Sequence, residues 1–78
     1  MTRIPVESSQ IKSIGYDPST KTLEVEFHAR GEKYPESVYH YHEVSPETHA
    51  NLMKAESKGS HLGKFVKGKH RFTKISPI

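Results

Sequence analysis

"KTLEVEFH" (residues 21–28) alternates apolar and polar side chains without a break. Leu23, Val25 and Phe27 fall on one face of an extended strand, and Thr22, Glu24, Glu26 and His28 on the other. A strand of this kind has one face to bury and one to wet. The neighbouring segments must supply partner strands and a cover for the apolar face. Just upstream, "DPST" (17–20) reads as a turn. Proline sets φ at the second position of a type I turn, and Asp17 can bond the backbone that follows it. Before that turn, "SSQIKSIGY" (8–16) offers Ile11, Ile14 and Tyr16 as apolar points. Their spacing breaks strict alternation, which predicts a bulge, assigned to Gly15. The two segments are expected to form an antiparallel hairpin.

Downstream, "ARGEKYPES" (29–37) is a polar loop with Gly31 and Pro35. "VYHYHEV" (38–44) follows as a third strand. Residues two apart on a strand share a face, so Tyr39 and Tyr41 go one way and His40 and His42 the other. Tyrosine brings apolar area with a hydroxyl that can reach a rim, whereas buried histidine nitrogens need partners. The tyrosines are therefore expected to face the core. The alternative, a stacking platform of Tyr39 and Tyr41 for nucleic-acid bases, requires that the helix leave that face open.

"SPETHANLMKAESKG" (45–59) carries helix signals. Ser45 is an N-cap, Pro46 suits the first position, and Glu47 complements the positive end of the helix dipole. Leu52 and Met53 form the apolar edge, and Gly59 reads as the stop. This predicts a helix over residues 46–56. "SHLGKFVKG" (60–68) reads as a second short helix with Leu62, Phe65 and Val66 on one side. "KHRFTKI" (69–75) is either a short final strand or an extended tail held by Phe72 and Ile75.

The chain has 78 residues, enough for one small domain, and 32% of them are apolar. A domain of this size buries only about 60% of the surface its unfolded chain exposes. The expected core is Ile11, Ile14, Tyr16, Leu23, Val25, Phe27, Tyr39, Tyr41, Val44, Leu52, Met53, Leu62 and Val66. There is no cysteine, which excludes disulfides and thiolate metal sites. No apolar run approaches the roughly 18 residues of a membrane span. A cytoplasmic protein with no membrane partner is the expectation.

The net charge of +3 is unevenly placed. From Lys54 onward seven basic residues face one acid, Glu56, for a local charge of +6. The remainder carries five basic and eight acidic residues, for −3. A concentrated basic end suits a polyanion or an acidic protein face, and a solvated surface with no ligand is the bland reading of the same charges. The candidate phosphate contacts are Lys58, Lys64, Lys67, Lys69 and Arg71. Lysine-rich contacts of this kind hold phosphates without reading sequence.

Catalytic patterns are missing. No Gly-x-Ser-x-Gly elbow occurs. "GSHLGK" (59–64) has three residues between its glycines and Phe65 after its lysine, whereas a phosphate loop needs four and then Ser or Thr. His40 and His42 lie about 7 Å apart on a strand and can chelate, with His28 or Glu26 as a third ligand. No second ligand pair accompanies them, so neither metal nor cofactor is expected.

Ser8-Ser9, Ile14-Gly15-Tyr16-Asp17, Tyr39-x-Tyr41 and Ser57-Lys58-Gly59 before a basic end occur in an order that resembles the KTSC domain. This is a small domain found at the C-terminus of some lysyl-tRNA synthetases and as a stand-alone bacterial or phage protein. The resemblance spans about residues 8–72. It implies no catalytic residues, and it implies an RNA-interacting accessory role through the synthetase context alone. The chain departs from the pattern in a longer Phe27–Tyr39 segment, and in Gly63 and His70 where Asn and an aromatic residue are usual.

The resulting expectation is an α+β domain over residues 8–75, with 1–7 as a lead-in and 76–78 as a tail. It has a three-stranded antiparallel meander, extended by a short fourth strand if residues 69–75 pair, one main helix on one face and a second short helix. The functional expectation is a non-catalytic module that binds RNA, tRNA-like or nonspecific, on its basic C-terminal surface. The alternative is a protein-interaction module that meets an acidic partner through the basic end or the loop around Tyr34.

Overall fold

The computed structural model describes residues 2–29 and 36–76. Five strands form one sheet, in the order of the sequence and antiparallel throughout. They are β1 (Arg3–Pro5), β2 (Ile11–Asp17), β3 (Thr22–Phe27), β4 (Ser37–Tyr41) and β5 (Phe72–Ser76). Helices α1 (Pro46–Lys54) and α2 (Lys58–Phe65) lie between β4 and β5. The α+β class stands, but the meander has five strands rather than three. The lead-in supplies β1, paired through Ile4 opposite Ile14. Residues 72–76 supply β5, paired through Phe72 opposite Tyr41. Both additions are short edge strands whose inward residues stay largely exposed, so neither has the apolar alternation that marked β3.

The register of β2–β3–β4 puts Ile14, Val25 and Tyr39 in one row, and Tyr16, Leu23 and Tyr41 in the next. The register slips between Ile11 and Ser13, at Lys12, not at Gly15, which pairs regularly with Glu24. The slip turns Ile11 inward together with Ile14 despite their odd spacing. In the 17–21 turn, Asp17 Oδ1 accepts hydrogen bonds from the Ser19 amide at 2.9 Å and the Ser19 hydroxyl at 2.6 Å. Lys21 closes the turn at φ +56°, a left-handed conformation disfavoured for side chains with a Cβ. Its carbonyl accepts from the Val44 amide at 2.8 Å, which ties the hairpin to the entry of α1.

Ser45 caps α1 by accepting from the Thr48 amide at 3.1 Å, and Pro46 occupies the first position. The helix ends at Lys54, not residue 56, because Ala55 turns to extended backbone and Ser57 starts a new helix. Gly59 is therefore no stop signal. It sits in the first turn of α2, where a Cβ would run into the Gln10 side chain. Val44, Leu52, Leu62 and Val66 cover Ile11, Ile14, Leu23, Val25 and Tyr41 in a single buried cluster. Val6, Tyr16, Phe27, Tyr39 and Met53 pack around it, half-buried. Phe65 turns away, contrary to expectation. Leu62 and Val66, four residues apart, already define the inward stripe of α2, so Phe65 pairs instead with His61 on its flank, ring centroids 4.5 Å apart.

The opposite sheet face is held by polar contacts. Arg3 donates to Glu24 at 2.9 Å and to the Ser13 hydroxyl at 3.1 Å. Ser13 donates to Glu26 at 2.8 Å, and His40 bonds Glu24 at 2.7 Å. These bonds cross four neighbouring strands. Burial pushes the Glu24 carboxyl up, but the hydrogen bonds of His40 and Arg3 and the Arg3 charge outweigh it, so the group sits below its usual range.

Two outcomes test this account. Leu62→Ala should cost about 2–5 kcal/mol, read by urea unfolding, while Lys64→Ala on the exposed side of α2 stays within about 0.5 kcal/mol. A carboxyl held below its ordinary pKa contributes stability that is present above that pKa and lost as pH falls through the folded value. Glu24→Gln should therefore be less stable than the parent at neutral pH, and the gap should close in acid.

Candidate nucleic-acid interface

The basic end is carried by α2, the turn after it and β5. Val66 begins the turn, with its carbonyl accepting from the amides of Lys69 and His70, each at 3.1 Å. Gly68 stands at φ +82°, the conformation glycine alone adopts freely, and lets the chain reverse. The His70 ring donates through Nδ1 to the His42 carbonyl at 2.9 Å, and the His42 amide donates to the Arg71 carbonyl at 2.9 Å. These bonds pin the turn to the end of β4, so its cations sit on a fixed backbone.

The five candidate cations meet different fates. Lys58 points back and donates to the Ala55 carbonyl at 3.0 Å, closing the link between the helices. Lys64 and Arg71 are exposed. The Lys67 ammonium lies 4.9 Å from the centre of the Phe27 ring, and that of Lys69 lies 5.6 Å from the Phe65 ring. Among the described residues, every carboxylate ion pair is made by Arg3, Lys12 or His40. Lys64, Lys67, Lys69 and Arg71 have no carboxylate within pairing distance there.

Tyr39 and Tyr41 share the inner face of β4, as their spacing predicts, but their surroundings differ. Tyr41 is buried, and burial, with a smaller contribution from Tyr39, pushes its hydroxyl up to about 12. Tyr39 is half-buried at the centre of an aromatic row. Its ring centroid lies 5.6 Å from Phe27, edge to face, and 5.6 Å from Phe72. Phe72 is 61% exposed. Lys74, opposite Tyr39 in the β4–β5 register, lies on the same face and is exposed. Phe27, expected in the core, Phe72, expected only to hold the final segment, and Lys74 are not among the candidate binding residues of the sequence. The alternation of Phe72 and Lys74 was visible, but only the pairing of β5 with β4 sets them beside the tyrosines.

His40 and His42 turn to the other face, as expected. His40 is engaged by Glu24, and the His42 ring bonds the Thr73 hydroxyl at 2.8 Å. Among the described residues no three ligand side chains converge to hold a metal. Tyr34 lies outside the described residues. No helix among those described is long and apolar enough to cross a membrane.

A family model for the KTSC domain matches residues 7–72. The chain belongs to the KTSC domain family. The crystal structure of a KTSC domain protein from Yersinia pestis is 42% identical and superposes with a TM-score of 0.83 over 95% of this chain and 96% of that one. An uncharacterized protein of Stutzerimonas stutzeri is 37% identical over 90% of both chains. A lysine–tRNA ligase of Nostoc punctiforme is 41% identical over 70 residues, 90% of this chain but only 11% of the ligase. This KTSC domain thus matches both a protein of its own size and a small segment of a far longer enzyme.

The two tyrosines give a test of the site geometry. A phenol whose folded pKa lies above its unfolded value, near 10, leaves stability unchanged below that pH. Above it the unfolded chain loses the proton and the folded chain keeps it. Stability should then fall from about pH 10 to about 12, where Tyr41 titrates. Tyr41→Phe should remove most of that alkaline loss, read by thermal unfolding across the range. In the parent, one phenolate absorbance step near pH 12 should disappear with the substitution.

Proposed function

We propose that this domain is a non-catalytic accessory module that holds RNA on the surface formed by α2, the 66–71 turn and β5. The observation that carries the reading is the set of exposed cations Lys64, Lys67, Lys69 and Arg71, which have no carboxylate partners among the described residues. The pinned turn keeps the ordering cost of these contacts low. The ligases that contain a similar segment support RNA as the polyanion, since such an enzyme is named for a tRNA substrate. Lysine contacts to phosphates position a strand without specifying bases. The expected role is to add affinity, with selection supplied elsewhere, in a cytoplasmic setting.

Fluorescence anisotropy of a labelled tRNA and of an unstructured RNA, at about 50 and about 200 mM salt, tests the reading. With three to four phosphate contacts to a single strand, at a slope near 0.7 per contact, affinity should drop roughly 20- to 50-fold between the two conditions. Reversing Lys67 and Lys69 to Glu should weaken both RNAs alike and flatten the salt slope. No binding at the lower salt would overturn the RNA reading. The same cations would then be assigned to an acidic protein face, the alternative that the charge distribution supports.

A further inference from the structure

Charge on the α2–β5 surface accounts for holding a phosphate chain, but not for the phenyl ring beside it. Phe72 contributes little to the core, since most of its surface is open. It stands against the Tyr39 ring at 5.6 Å and the Tyr41 ring at 6.2 Å. Tyr39 in turn meets Phe27. The result is a row of three rings, Phe27, Tyr39 and Phe72, on the sheet face where the cover of the helices runs out. Cations stand at two places along it: Lys67 over Phe27, and Lys74 in register with Tyr39. Ile4 is also exposed, on the same face at the opposite edge of the sheet, but it carries no ring to extend the row.

We propose that the Phe72–Tyr39 shelf is a stacking site for an unpaired nucleobase, with Lys67 and Lys74 taking the flanking phosphates. This rests on the RNA reading above and narrows it to single-stranded segments. A base stacks on any open aromatic face, whatever its identity, so the shelf selects strandedness rather than sequence. Bases inside a duplex are already stacked and cannot lie on a flat ring. Duplex binding would use the phosphate contacts alone. The alternation of rings with cations favours a nucleotide chain, which offers a flat apolar face and a negative charge at every step.

The experiment compares a short single-stranded RNA with a duplex of the same length, for the parent chain, Phe72→Ala and Phe72→Trp. The parent should bind the single strand more tightly. Phe72→Ala should weaken the single strand by about 5- to 150-fold, the loss of one base stack, and leave the duplex within about twofold. Phe72→Trp should retain binding, and because the chain has no tryptophan of its own, its emission reports the shelf directly. Quenching on addition of the single strand but not the duplex supports the site. Thermal unfolding should show each variant folded, as expected for so exposed a side chain, with Phe72→Leu as a milder second variant.

If Phe72→Ala binds both RNAs like the parent, with the salt slope intact, the shelf is wrong while the basic surface stands. If the parent binds neither RNA, both readings fall. If Phe72→Ala instead converts a dimer into a monomer, the shelf is a contact between copies of the chain, and the stacking site is overturned.

Discussion

The structure depends on two helices burying one narrow apolar face. Leu52 of α1 and Leu62 of α2, with Val44 and Val66 at the ends of the adjoining segments, close over Ile11, Ile14, Leu23, Val25 and Tyr41. A chain this small, with 32% apolar residues, has no surplus for a second layer or an interior cavity. Each of these side chains serves the same contact. That constraint explains why α1 stops early, since Ser57 must begin α2 in time to bring Leu62 and Val66 onto the sheet. It also explains why the two helices run out of cover near β5. Their inward stripe reaches Tyr41, but leaves Tyr39 half-buried and Phe72 open.

The polar face solves a different problem. No helix lies on it among the described residues, yet Glu24 is only 8% exposed. Its carboxylate is screened by the side chains that bond it, Arg3 from the edge strand β1 and His40 from β4. An isolated surface ion pair contributes little, but this set connects β1, β2, β3 and β4 through directed bonds. The edge strand β1 has only three residues and depends on that anchoring. Apart from Arg3 it offers the sheet only Ile4 and Pro5, both exposed.

A fold that commits nine of its ten buried apolar residues to one contact leaves binding to its surface. The proposed RNA-holding role draws on the turn after α2 and on β5, the parts least committed to the core. They remain ordered because His70 and Arg71 are tied to the end of β4 by backbone and ring hydrogen bonds. The match to small stand-alone proteins and to a short segment of lysine–tRNA ligases fits a unit that folds around its own core. Such a unit can be joined to a larger chain without rearrangement.

Much of this was determined by the sequence itself. The alternation in residues 21–28, the parity of Tyr39 and Tyr41 against His40 and His42, and the Ser45–Pro46 cap each follow from local geometry. Period-two spacing and capping need no knowledge of distant residues. The same logic identified the inner core, because few apolar side chains were available to fill it. What only the tertiary structure decided lies at the edges. That residues 3–5 and 72–76 are strands depends on which neighbour has an unpaired edge, not on their own pattern. That the register slips at Lys12 depends on keeping Ile11 and Ile14 under the same helices. Phe65 lies on the apolar side of the 60–68 pattern, yet it turns outward because Leu62 of α2 and Val66 just past its end already fill the space. Phe72 and Lys74 join the aromatic row only because β5 pairs with β4. Local spacing specifies which way a side chain points relative to its neighbours, but pairing and crowding decide whether anything covers it.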